Sequence, residues 1–228
     1  MKKISYSQYA MWAQCPHKWK TAYIDDKREF TESIHTLFGT SMHEVIQTFL
    51  TVMYNDTVKL AEQLPLDDML RTRMKRNFES ALEQNGGVMF CEEKDMVEFY
   101  IQGVEILDFI KKKRAQYFSK KGYELVGIEV PINYDLPNNI KFIGYIDIVI
   151  KDTIRDVIKI YDIKTSTMGW NKYMKADKIK SDQLLLYKQF YSKQFDHPLD
   201  KIEVEYFIVK RKLWENTDFP QKRVQKFV

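Results

Sequence analysis

Ile140-Lys-Phe-Ile-Gly-Tyr-Ile-Asp147-Ile-Val-Ile-Lys151, Asp152-Thr-Ile-Arg-Asp156 and Val157-Ile-Lys-Ile-Tyr-Asp162-Ile-Lys164 form the stretch whose reading decides the fold. The flanks, residues 140–151 and 157–164, are rich in isoleucine and valine and predict two strands. Asp152 to Asp156 is a connector short enough for a hairpin. A symmetric hairpin about Ile154/Arg155 sets Asp147 opposite Asp162. Lys164 lies two residues further on and projects from the same face as Asp162. Val149 and Ile160 flank this trio on that face.

Like charges opposite one another weaken a sheet. Two half-buried carboxylates also push one pKa upward unless a cation compensates. Two readings meet that demand. Lys164 alone neutralises the pair, or a divalent metal shares it; a register shifted by one residue would instead turn one aspartate to water and remove the demand. Oxygen ligands favour Mg²⁺ or Mn²⁺ over zinc. A metal held by carboxylates beside a lysine suits phosphodiester hydrolysis, in which negative charge develops on the phosphoryl oxygens.

Outward from the hairpin, residues 1 to about 121 carry helical periodicity. A first helix is predicted from Ser7 to about His17, with Tyr9, Trp12 and Ala13 at apolar spacing. A second opens near Phe38-Gly39-Thr40-Ser41, with Thr40 and Ser41 as candidate N-caps. Met42, Val45, Ile46, Phe49, Leu50 and Met53 supply its buried stripe. A third spans Leu66 to Gln84 and stops at Asn85-Gly86-Gly87. A fourth spans Glu93 to about Lys121, acidic early and basic late, as the helix dipole favours.

Val126, Ile128, Val130 and Ile132 alternate as a strand, and Pro131 marks either a sheet-edge position or the end of the strand. On this alternation Glu129 points away from the apolar face. A helix over Asp182 to about Phe195 and a strand over Ile202 to Val209 follow. The expectation is one α+β domain over 1–228: a helical part of about 1–121, then a small mixed sheet with a covering helix over about 122–210.

The motifs resemble the PD-(D/E)XK nuclease superfamily, and more narrowly its RecB-type branch, which includes the CRISPR-adaptation nucleases and many phage exonucleases. Gly144-Tyr-Ile-Asp147 and Asp162-Ile-Lys164 match the core signature. Ser5 to Pro16 resembles the branch's N-terminal Ser-x-Ser…Cys-Pro segment. Gly39 with His43 resembles its Gly-x-x-x-His helix, and Gln183 to Tyr187 its Gln-x-x-x-Tyr motif.

The resemblance implies a restriction-endonuclease-like core. It implies Asp147, Asp162, His43 and the Ile163 backbone carbonyl as metal ligands, and Lys164 as the catalytic lysine. Gln183 and Tyr187 would contact DNA or brace the site. Glu129 matches an acidic residue that some members carry on the first strand. The implied activity is a Mg²⁺- or Mn²⁺-dependent DNA exonuclease in recombination, repair or phage DNA processing. A structure-specific endonuclease, or a non-catalytic DNA-binding module of a helicase or recombinase complex, are the alternatives. The intact acidic pair and lysine favour an enzyme.

Composition narrows the rest. Lys and Arg number 36 against 32 Asp and Glu, a net +4 that permits a nucleic-acid partner without requiring one. The basic residues gather at Lys111–Arg114, Lys172–Lys180 and Lys210–Lys212. The middle run, with Lys172, Lys175, Lys178 and Lys180, is the expected DNA-binding one because it follows the hairpin directly. Trp170, Tyr173 and Trp214 are interleaved with the last two runs and could stack on bases. Two cysteines, Cys15 and Cys91, exclude a disulfide framework. Iron–sulfur relatives use four, so no cluster is expected, and Cys15 is assigned to a buried structural role. No nucleotide-binding Gly-x-x-x-x-Gly-Lys-Ser/Thr motif occurs, so any ATP hydrolysis would belong to a partner helicase or recombination protein. No apolar run is long enough for a membrane span or a signal sequence, and a cytoplasmic protein is expected.

Overall fold

A computed structural model describes residues 2–28, 32–214 and 221–228. The chain begins with a short strand, β1 (Lys2–Ile4), and two helices, α1 (Tyr6–Gln14) and α2 (Pro16–Tyr23). The sequence predicts one helix here. Cys15 precedes a proline and is extended, and Pro16 occupies the first turn of α2, where its missing N–H costs nothing. The Cys15 thiol is exposed rather than buried, and its Sγ accepts from Lys18 N at 3.4 Å as a helix cap.

Helix α3 (Ile34–Asn55) starts earlier than expected. Ser33 and Thr36 cap it reciprocally: Thr36 N donates to Ser33 Oγ at 3.3 Å, and Ser33 N to Thr36 Oγ1 at 2.9 Å. Thr40 and Ser41 therefore lie inside the helix, where Ser41 Oγ donates back to Leu37 O. Met42, Val45, Ile46, Phe49, Leu50 and Met53 are all buried, as their spacing predicts. After α4 (Val58–Gln63), α5 (Leu66–Gln84) has the predicted bounds, and α6 (Glu93–Tyr117) ends four residues before Lys121.

The second half is strands β2 (Tyr123–Leu136), β3 (Ile140–Asp152) and β4 (Val157–Ser166), helices α7 (Lys172–Ala176) and α8 (Lys178–Phe195), and strands β5 (Ile202–Lys210) and β6 (Val224–Phe227). They form one mixed six-stranded sheet with β1. Strand β4 runs parallel to β5, with α8 as the crossover helix between them. The β3–β4 hairpin has the predicted register, with Val149 opposite Ile160 and Ile148 opposite Tyr161. Strand β2 is an edge strand, the first of the two positions that Pro131 allows. Its exposed side is tied down by Gln194 of α8, which donates to Pro131 O and accepts from Asn133 N.

Both faces of the sheet are covered. Helices α3, α5 and α6 pack on one face with Ile148, Ile150, Tyr161, Ile163, Phe207 and Val209. Helix α8 packs on the other with Ile146, Val149, Ile160, Tyr206 and Ile208. The simple alternation expected of β2 fails. Its register slips between Leu125 and Gly127, which leaves Val126 exposed, and Glu129 adopts φ +49°. Ile128 consequently joins the first core and Val130 the second. Among the described residues, no helix is long and apolar enough to cross a membrane.

Candidate active site

The site lies at a gap in the sheet. Strand β2 lines one edge of β3 along its length. The other edge is shared, by β1 opposite residues 140–142 and by β4 opposite 148–152. Residues 143–147 have no strand partner on that side. Asp147 enters this gap, and its Oδ2 accepts a 2.7 Å hydrogen bond from Ile163 N. A carboxylate thus replaces the next rung of the β3–β4 ladder. His43 of α3 places Nδ1 3.6 Å from the same Oδ2. Gly39, one turn earlier, lets α3 lie close to β4: a Cβ there would sit 3.3 Å from Thr165 Oγ1.

Asp162 is 2% exposed, and its Oδ2 has no aligned hydrogen-bond donor. Lys164 Nζ lies 2.6 Å from that oxygen, close enough to pair charges but off the angle of a hydrogen bond. Burial, then the Asp162 charge, holds the Asp147 carboxyl well above the usual range, against the opposing pull of Lys164 and the Ile163 amide. Burial lowers the Lys164 pKa, but Asp162 and Asp147 more than offset this, so its net shift is upward and it is an ammonium. Burial and then Lys164 push His43 below its ordinary value, which favours neutral imidazole.

The left-handed backbone at Glu129 turns its carboxylate toward α3. There Gln47, one turn beyond His43, donates from Nε2 to Glu129 Oε1 at 2.5 Å. The same nitrogen lies 3.5 Å from Asp147 O. Glu129 contributes to the electrostatic environment of His43, Asp147 and Tyr187, so it belongs to this constellation. Sequence reading omits Gln47. The available signal is its spacing of four from His43, which puts both on one helix face.

Gln183 and Tyr187 form a brace. Gln183 Nε2 donates to Tyr187 Oη at 3.3 Å, and its Oε1 accepts from Tyr206 Oη at 3.1 Å. Gly144 makes room for the Tyr187 ring, since a Cβ would meet Cε1 at 3.2 Å. Tyr6, at the start of α1, donates to Ile179 O, and burial with the charges of Asp177 and Asp162 pushes its pKa up to about 12. Strand β1 thereby delivers α1 to the mouth of the gap.

The basic runs differ in fate. Lys172 and Lys178 are exposed, Lys175 is half-buried, and Lys180 pairs with Asp177 at 2.8 Å. Trp170 is buried against Tyr206 and unavailable for stacking, whereas Tyr173 and Trp214 are exposed. Elsewhere Arg114 pairs with Glu62, Lys212 pairs with Glu98, and Arg211 is buried over Phe99.

The donor set suits a hard divalent cation. Two carboxylates, buried Asp162 and partly buried Asp147, meet at one gap, and Asp162 Oδ2 faces the Lys164 ammonium. Among the described residues, no group of three or more His, Cys, Asp or Glu side chains is placed to hold a metal ion by itself.

A mixed six-stranded sheet flanked by helices is thus interrupted beside two aspartates and a lysine. The chain belongs to the PD-(D/E)XK nuclease superfamily, whose family model matches residues 3–227. It is similar in structure to a protein from Eubacterium rectale described as "Putative exonuclease", with 14% identity, a TM-score of 0.53, and coverage of 100% of this chain and 73% of that one. At that identity the likeness is one of fold. No curated protein matches the chain.

Proposed function

We propose that this nuclease is a Mg²⁺- or Mn²⁺-dependent DNA exonuclease of the RecB-type branch, with the whole chain acting as one cytoplasmic domain in recombination, repair or phage DNA processing. The observation that carries the reading is the convergence of buried Asp162, Asp147 and the Lys164 ammonium at one gap in the sheet. Asp147 and Asp162 would hold the ion, with His43 and the Ile163 carbonyl as further donors. Bound there, the cation would polarise a phosphoryl oxygen and lower the pKa of a water.

Lys164 remains protonated, so it stabilises the charge that develops on the phosphate rather than removing a proton. Neutral His43 orients the Asp147 carboxylate and adds no competing charge. Gln183 and Tyr187 act as positioning residues, because their polar atoms are spent on each other and on Tyr206. Lys172, Lys175 and Lys178 neutralise phosphates of the incoming strand, and Lys180 supports them from its pair with Asp177. A helicase or recombination protein could present DNA ends to this surface.

The test is a time course on 5′- and 3′-labelled linear DNA and on circular single strands, with Mg²⁺, Mn²⁺ or EDTA. Linear DNA should be shortened from an end only with metal, and circles should survive. Asp162→Ala and Lys164→Ala should each reduce cleavage by about 10³-fold or more while circular dichroism stays native. Intact linear DNA after incubation with wild-type protein and either metal would overturn the reading, and cut circles would convert it to an endonuclease.

A further inference from the structure

We propose that the groove between α3 and α5 binds the phosphodiester backbone of the substrate strand through Arg73 and Arg76. The proposal takes the identity of the polyanion from the nuclease reading. The groove has a volume of about 400 Å³ and is lined by Glu44, Gln47, Thr48, Arg73 and Arg76, with Ile128 beside them. It adjoins the site through shared residues of α3. Gln47 in its wall is the residue that holds Glu129, and Glu44 follows His43 in α3.

The charges in the groove do not cancel. Arg76 Nη2 lies 2.6 and 2.7 Å from the two Glu44 oxygens, and Arg73 Nε lies 3.6 Å from Oε2. Two guanidinium groups share one carboxylate, so one positive charge is surplus. Arg73 and Arg76 are 36% and 51% exposed, so both keep N–H groups open to solvent. Guanidinium N–H groups are directional and match phosphate oxygens. Glu44 holds the two forks side by side.

Position adds a second argument. Helices α3 and α5 cover one face of the sheet, and α8, with the Lys172–Lys180 run at its start, covers the other. A strand held by those lysines alone would be anchored on one side of the scissile bond. The arginine groove supplies an anchor on the other side, across the gap that holds Asp147. A plain inter-helix clamp is the competing reading of the same ion pairs.

The experiment measures binding of a labelled strand of about 20 nucleotides in EDTA over a range of salt concentrations, with metal-dependent cleavage followed in parallel. Arg73→Ala/Arg76→Ala should weaken binding about ten-fold and make the log K against log[salt] slope shallower by about 0.7, the value for the one single-strand phosphate that the surplus charge neutralises. Glu44→Gln should act in the opposite direction, tightening binding, because it releases both guanidinium groups. A clamp would give wild-type slopes in both variants and lower their thermal stability, which would overturn the proposal. If the double variant does not fold, Glu44→Gln decides alone: tighter binding supports the groove, and unchanged or weaker binding rejects it. Wild-type protein that binds in this manner but never cleaves would refute the nuclease reading and leave the groove standing. Cleavage with unaltered variants would do the reverse.

Discussion

Glu129 sits at φ +49°, a conformation that costs a residue with a Cβ about 1 kcal/mol or more. The surrounding structure offsets that cost with the Gln47 hydrogen bond, which brings the Glu129 carboxylate into the electrostatic environment of Asp147. Glycine tolerates this backbone and a β-branched residue does not. Glu129→Val should therefore be less stable than Glu129→Gly by about 1–2 kcal/mol in urea melts, although both remove the same carboxylate. Equal stabilities would mean that the backbone relaxes freely at this position. The same residue marks the limit of reading by pattern. Asp147, Asp162 and Lys164 were legible because the hairpin is symmetric and its register follows from the connector. Gln47 and the orientation of Glu129, which the family resemblance names, were not, because period-two alternation assumes an unbroken strand, and no residue type announces a left-handed glutamate. Cys15 was misplaced for a related reason. Cysteine is usually buried, but the following proline makes this one a joint between two helices.

Among elements, the long periodic ones were readable and the short ones were not. Helix α5 and the β3–β4 hairpin are each more than eight residues of consistent pattern. Strands β1 and β6 have three and four residues, and their existence depends on the neighbours they pair with rather than on their own composition. The hairpin is tied to β5 at its far end by a cluster in which Arg155 and Lys159 both contact Glu203. The Arg155 hydrogen bond is the leading cause that lowers Glu203 to about 2, with Lys159 adding to it. Its ordinary value is 4.5, so the folded state binds its proton more weakly than the unfolded chain. The stabilisation is complete above about pH 4.5 and is lost as pH falls toward 2. Glu203 is 38% exposed, so screening reduces its worth to about 1 kcal/mol. Acid titration should show wild-type protein losing about that much more stability than Glu203→Gln between pH 4.5 and 2. Parallel curves would remove this pair from the stability of the hairpin.

At the scale of the whole molecule, the sheet separates two hydrophobic cores, and the proposed ligands come from the strands between them and from α3. A cation bound to Asp147 and Asp162 would relieve the repulsion between one buried and one partly buried carboxylate that a single lysine now balances. Any ligand that binds only the folded state raises its stability by mass action, about 2.7 kcal/mol at one hundred times Kd. For a chain of 228 residues this corresponds to a rise in Tm of about 5–10 °C. Mg²⁺ or Mn²⁺ should produce that rise in wild-type protein and little in Asp162→Asn. An equal rise in both would assign the metal to another site.

The carboxylate that stands in for a missing rung between β3 and β4 also equips the site with its own reporter. The Ile163 amide proton is held by the Asp147 side chain and not by a backbone carbonyl. Its exchange with deuterated solvent is therefore governed by a single side chain, whereas neighbouring amides are governed by the opening of the sheet. Asp147→Ala should speed exchange at Ile163 by far more than at Ile160 or Phe207. In a nitrogen–proton correlation spectrum, the Ile163 peak should also be among the first to shift when Asp147 engages a ligand.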